Sequence, residues 1–165
     1  MVKKLGRVTA VLSLTSALFI VASAPANAAG AQVTRGEVGA FAAALNDAAY
    51  AQYQDISGHA QMVRTADGKT IVAIHVEGLA PNTTYASHVH KQACGNGDAD
   101  GHYKLDTSIS ATLASNEIWP GPFTTDDEGI GNGWTKVDHL ARSEAVSVVV
   151  HAPVTGAKIG CADLS

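Results

Sequence analysis

Cysteine is scarce in this 165-residue chain: only Cys94 and Cys161 occur, and they do not form a C-x-x-C pair. The usual thiolate signature of a structural zinc site is therefore missing. Long apolar runs are confined to the first thirty residues, and no later segment is long enough to cross a bilayer as a helix. Basic residues are few, 11 Lys and Arg against 15 Asp and Glu, for a net charge of −4. That balance argues against a nucleic-acid partner, whose phosphates require a basic face. There is no internal repeat and no low-complexity tail.

The N-terminus has a definite order: Lys3, Lys4 and Arg7, an apolar stretch from Val8 to about Ala22, then Ala26-Asn27-Ala28 before Ala29. This is the order of regions expected of a secretory signal peptide over residues 1–28. The rival reading, a retained membrane anchor, needs roughly 20 apolar residues, and this run is shorter and interrupted by Ser and Thr. The expected mature piece, Ala29 to Ser165, has 137 residues, enough for one domain with its own core. Loss of three basic residues leaves 8 against 15 acidic ones, a net charge of −7. The expected location is secreted or extracytoplasmic, with no stable membrane insertion after cleavage. In an oxidising compartment Cys94 and Cys161 can close a disulfide, which in the chain-entropy model stabilises the fold by roughly 4 kcal/mol. Thiolate ligation of a metal is the functional alternative for the same two residues.

Residues 29–56 read as an N-terminal leader. Glu37 to Gln54 is Ala-rich, and Val38, Phe41, Leu45 and Ala49 follow a weak helical spacing, which predicts a short helix or an irregular segment. From Ser57 to the C-terminus the texture is that of short strands. Ile71-Val72-Ala73-Ile74-His75-Val76-Glu77 alternates, turn signals fall at Ala66-Asp67-Gly68-Lys69 and Ala80-Pro81-Asn82-Thr83, and β-like runs cover Trp134 to Val137, Ala145 to His151 and Ala157 to Ala162. Short strands without a strong helix between them predict an all-β antiparallel sandwich or barrel over residues 57–165. The connection from Lys91 to about Asn116 is too long for a hairpin and carries Gly95, Asn96, Gly97, Asp98 and Asp100, the composition of an ordered functional loop or a flexible insertion.

Four of the 7 histidines cluster against the two cysteines. His88 and His90 are two apart, so on a strand they share a face and can reach one ion. His102 lies in the loop that contains Cys94, and His151 ends an apolar strand ten residues before Cys161. A bridge between the cysteines would draw that loop towards the C-terminal strand and bring all four imidazoles to one region, a ligand set suited to copper or zinc. His75 alternates with Ile74 and Val76 and reads as a half-exposed strand residue, and His59 and His139 read as bystanders too.

These residues carry a resemblance to the copper/zinc superoxide dismutase family. SHVHKQAC resembles its copper-binding H-x-H and following cysteine, GHYKLD the segment around its bridging histidine, SVVVHAP the strand of its last copper ligand, and GAKIGCADL its C-terminal cysteine segment. GLAPNTTY resembles the turn leading into the copper strand. The resemblance runs in order from about Ser57 to the end. It implies a Greek-key β-barrel of seven to eight strands, copper on His88, His90, His102 and His151, and a Cys94–Cys161 disulfide. Lys158 stands where the family usually has an arginine that attracts and orients the superoxide anion. A lysine keeps the charge and loses the planar fork of donors.

The departures are equally specific. No histidine lies between His102 and His139, where two-metal members hold zinc, and the nearest carboxylates are Asp106, Glu117 and Asp126. With a single imidazole they fall short of the nitrogen-rich set zinc prefers, so a zinc site is not expected. Only six residues separate His151 from Lys158, where two-metal members have a long loop over the metal, which predicts an open copper site. Both features resemble the copper-only branch of the family, where a carboxylate takes over zinc's task of orienting the bridging histidine. Glu117 is the candidate here. The expected activity is disproportionation of superoxide, with His102, Glu117 and Lys158 as catalytic residues. The alternative is an extracytoplasmic copper carrier or buffer on the same scaffold.

Overall fold

A computed structural model describes residues 30–42 and 47–165. The expected signal peptide, residues 1–28, lies outside the described residues. The strands are β1 (Gln32–Ala40), β2 (Ser57–Arg64), β3 (Thr70–Glu77), β4 (Thr84–His90), β5 (Phe123–Thr124), β6 (Gly131–Val137), β7 (Ser147–His151) and β8 (Lys158–Asp163). All pair antiparallel, in the spatial order β5-β4-β7-β8-β1-β2-β3-β6. The chain leaves β3 to build β4 on the far side of the sheet and returns through β6, the crossing pattern of a Greek key. The two ends of the sheet then approach until the barrel is nearly closed. There Phe123 of β5 lies so close to β6 that a Cβ on Gly131 would fall 2.4 Å from its ring, which leaves room only for glycine.

The interior follows the period-two pattern of the sequence. On β3, Thr70, Val72, Ile74 and Val76 are buried, while His75 and Glu77 face outwards. Tyr85, Val89, Val148, Val150 and Ile159 complete the core from the other half of the barrel. Each such aliphatic side chain, fully buried, contributes roughly 1.5 to 3 kcal/mol relative to exposure. Among the described residues no helix is long and apolar enough to cross a membrane.

The leader departs from the helical expectation. Gln32–Ala40 is a strand in the middle of the sheet, hydrogen-bonded to β2 on one side and β8 on the other, so the barrel begins well before Ser57. Val38 and Phe41 do enter the core, but from a strand and its end, with Phe41 N donating to Ile159 O at 2.9 Å. Pairing partners more than a hundred residues away on β8 override a weak local preference. Gly36 shows how close that pairing is, because a Cβ there would sit 1.8 Å from Asp163 O. Among the described residues the short-helix expectation is met by a 3-10 turn at Ala48–Tyr53, capped by the Asp47 side chain accepting from Ala49 N at 2.9 Å, while Leu45 lies outside the described residues.

Candidate metal centre

Strand alternation sorts β4 into two sets. Tyr85, Ser87 and Val89 point into the barrel, and His88 and His90 point out on its other face. The register with β7 pairs His88 with Val149 and Ala86 with His151, which puts His151 on the same outer face, diagonal to His88. Outward side chains on a barrel are ordinarily wet, yet these three imidazoles are buried. The loop after β4 covers them.

That loop is an ordered structure that folds back along β4. Tyr103 N donates to Val89 O at 2.8 Å and Val89 N to Ile118 O at 2.9 Å, and isolated bridges join His90 to His102 and Lys104 to Glu117. The buried Tyr103 ring lies beneath the Arg142 guanidinium, which donates to the Leu105 and Lys104 carbonyls at 2.8 and 2.7 Å. A Cys94–Cys161 disulfide, with its Cα atoms 5.8 Å apart, ties the start of the loop to β8. The cysteines therefore act as a clamp. One nitrogen from each of His88, His90, His102 and His151 lies within 4.8 Å of the others.

The protons can be assigned from the partners. A neutral imidazole has one N–H and one lone pair, and a carbonyl can only accept. His90 Nδ1 meets Asp100 O at 3.1 Å and His151 Nδ1 meets Gly156 O at 2.8 Å, so in both rings Nδ1 carries the hydrogen and Nε2 the lone pair. Among the described residues those two Nε2 atoms, like His88 Nε2, are buried and have no hydrogen-bond partner. Burial, followed by the charges of neighbouring imidazoles, pushes His88 and His90 down to about 3. His151 is lowered as well, by burial first, against the opposing pull of the Gly156 carbonyl. Neutral imidazoles with buried, partnerless lone pairs fit a nitrogen-seeking transition metal, which answers their missing hydrogen bonds.

His102 is oriented from behind. Its Nδ1 is 2.7 Å from Glu117 Oε2, which also accepts from Trp119 Nε1 at 2.8 Å, while Glu117 Oε1 takes the Lys104 ammonium. The carboxylate is fully buried. Burial is the largest single influence on it and acts to raise its pKa, yet the hydrogen bonds from Lys104, His102 and Trp119 together hold it below the usual carboxylate range. An ionised acceptor at Nδ1 leaves the His102 lone pair on Nε2, which lies 2.9 Å from His88 Nδ1 inside the cluster. The carboxylate thus occupies the outer nitrogen of the fourth imidazole. The other two acids lie elsewhere: Asp106 accepts from the Ser108 amide and hydroxyl, and Asp126 caps a turn through Glu128 N and Ile130 N.

Lys158 begins β8 opposite His151, with its ammonium bound to the carbonyls of Asp98 and, at 3.0 Å, Asp100. Asp98, Ala99 and Asp100 all have positive φ, at 55, 58 and 50°, a conformation that costs a non-glycine residue roughly 1 to 2 kcal/mol each. Because Asp100 O also holds His90, Lys158 pins a strained turn that positions a cluster member. The opening above the cluster is a cleft of about 550 Å³ whose walls include Pro122, Pro153 and Val154 along with His88, His102 and His151. The segment from Ala152 to Ala157 is a tight turn, with Ala152 N donating to Ala157 O at 2.7 Å, and lines one wall of that cleft.

Among the described residues the other histidines do not join the cluster. His59 and His75 are paired across β2 and β3 with tilted rings whose centroids are 5.1 Å apart, His75 held by Asn132 and Glu77, and His139 is exposed in the loop after β6. Lys104 and Trp119 escaped sequence reading. The only trace of them is spacing: each stands two residues beyond His102 or Glu117, on the same side of an extended segment.

No family model matches the chain, and no curated protein matches it by sequence. Solved structures do. A double mutant of a superoxide dismutase-like protein from Bacillus subtilis superposes with a TM-score of 0.52 at 11% identity, over 78% of this chain and 95% of that one. A mutant of superoxide dismutase 5 from Candida albicans gives 0.51 at 14% identity, over 81% and 90%, and the Cu(II) form of that protein 0.50 at 16%, over 81% and 92%. The barrel that carries the four-imidazole cluster therefore has the fold of the copper/zinc superoxide dismutase family.

Proposed function

We propose that the protein is a secreted, copper-dependent superoxide dismutase of the copper-only type, with one copper held by His88, His90, His102 and His151. The observation that carries this reading is the pair of partnerless, buried Nε2 atoms on His90 and His151, converging with His88 and with a His102 whose outer nitrogen is taken by a carboxylate. Bound copper would supply the one-electron chemistry by which two superoxide anions and two protons become dioxygen and hydrogen peroxide.

The chain's own residues do the rest. Asp100 O and Gly156 O keep hydrogen on the Nδ1 atoms of His90 and His151, and so keep both Nε2 lone pairs available. Glu117 does the same for His102 and holds a hydrogen at its Nδ1 throughout, the orienting task that zinc performs in two-metal relatives. His102 lines both the cleft and a second cavity behind it, which suits an imidazole that would help hold copper and would take up and pass on a proton at Nε2. Lys158 adds positive charge beside the cluster for an anionic substrate. Zinc has no place in this reading: Glu117 holds the position zinc would need, and Asp106 and Asp126 are engaged in turns. The disulfide suits an oxidising, extracytoplasmic setting.

A second reading is a copper carrier or buffer. It is favoured by the commitment of the Lys158 ammonium to loop carbonyls and by the apolar lip of Pro122, Pro153 and Val154, which gives an anion little guidance. Metal loading decides between them. One copper, no zinc and dismutation well above that of free copper chelates supports the enzyme; one copper with no such rate overturns it in favour of the carrier.

A further inference from the structure

Among the described residues Lys104 is the one permanently charged partner of Glu117, and it stands outside the four-imidazole cluster. Its ammonium bonds Glu117 Oε1 and donates to Ala111 O at 2.8 Å, and its side chain is 19% exposed against 0% for the carboxylate. A cavity of about 500 Å³ lies on its other side, bounded by His102, Tyr103, Lys104 and Arg142. Lys104 is thus the wall between solvent in that cavity and the carboxylate that holds His102. The remaining cations of the cavity are spent elsewhere, Lys91 on Asp100 and Arg142 on Glu144 and two carbonyls, so none can substitute.

We infer that Lys104 is a positioning residue: it pins one oxygen of Glu117 so that the other faces His102 Nδ1, and it keeps cavity water off the carboxylate. The inference rests on Glu117 orienting His102 as proposed above. Glu117 has two oxygens and three donors around them. With Lys104 on Oε1, only Oε2 remains for His102 and Trp119. Without it, the carboxylate can turn towards the cavity and take water, and the hydrogen on His102 is free to sit on either nitrogen. The Nε2 lone pair is then present for part of the population only. Nothing in this requires copper, so the inference can be tested on metal-free protein.

The experiment is nitrogen NMR of the histidine rings in metal-free protein at a pH well above the ordinary histidine value of about 6.5. The variants are Lys104→Met, Lys104→Gln and Lys104→Arg. In the native protein His90, His102 and His151 should each show hydrogen on Nδ1. Lys104→Met should convert the His102 signal to a mixture of the two forms and leave His90 and His151 unchanged, because Asp100 and Gly156 carbonyls hold those rings independently. Lys104→Arg should restore the native signal. Copper affinity, measured by chelator competition, should fall about 10-fold in Lys104→Met and recover in Lys104→Arg. An unchanged His102 in Lys104→Met overturns the inference. So does a change at all three rings, which would mean that Lys104 only holds the loop together. If Lys104→Met does not fold, Lys104→Gln, which lacks the charge and whose amide nitrogen stands one bond short of the ammonium position, takes its place with the same criteria. A native protein without dismutation would refute the enzyme reading and leave this result standing.

Discussion

Replacing Glu117 with glutamine removes one charge and almost no volume, and the donors packed around the side chain dictate the outcome. The glutamine has one acceptor oxygen and one NH2 group for three surrounding donors. If the oxygen stays towards His102 and Trp119, the NH2 meets the Lys104 ammonium, donor against donor, and a largely buried charge loses its partner. If the amide flips, Lys104 is satisfied and the NH2 faces His102 Nδ1, which can accept only by moving its hydrogen to Nε2. That hydrogen occupies the position a metal needs. Breaking a buried ion pair from one side costs about 3 to 5 kcal/mol. Loss of a partner behind a metal-binding histidine costs about 10- to 100-fold in affinity or activity. Glu117→Gln should therefore melt well below the native metal-free protein in calorimetry. It should bind copper at least 10-fold more weakly in chelator competition, and its dismutation should fall at least in proportion. A variant that keeps native affinity and rate would refute the assignment of Glu117 to His102, and one that loses stability alone would reduce Glu117 to a structural buried pair.

The buried imidazoles give metal-free protein a pH dependence of definite sign. His88 and His90 are held near 3 in the folded state against about 6.5 when unfolded, so below pH 6.5 the unfolded chain takes up protons first; stability should be flat above that pH and fall by several kcal/mol towards pH 3, as urea midpoints would show. Changing both Cys94 and Cys161 to alanine frees a 67-residue separation, which in the chain-entropy model costs about 4 kcal/mol and should shift the urea midpoint accordingly; no shift would mean the clamp is idle. Lys158→Met should lower the melting temperature, because the left-handed turn at Asp98 to Asp100 loses its anchor, and should weaken the ionic-strength dependence of dismutation. His102→Ala should retain part of the copper, measured by metal analysis, and lose most of the activity.

Alternation, turn residues and the order of four short motifs made the barrel and its histidines readable without coordinates. His88 and His90 share a face because strands repeat every two residues, and the outward, paired setting of His75 follows from the same rule. β1 was not readable, because Gln32–Ala40 is mostly exposed and has little apolar alternation, and its strand state comes from hydrogen bonds to β2 and to a β8 that lies far along the chain. Glu117 could be named as a candidate from the gap after His102. Its partners Lys104 and Trp119 could not, since nothing local distinguishes a surface lysine from one that closes a buried carboxylate. Composition and spacing by themselves supplied four candidate imidazoles, two cysteines able to pair and the alternation of an all-β class, all properties of which residues stand where along the chain. Tertiary structure alone decided that the loop after β4 covers an outward face, dries three imidazoles, and places a carboxylate and an ammonium behind the fourth. Burial and charge pairing arise between segments that sequence distance keeps apart, and the chemistry of this site depends on both.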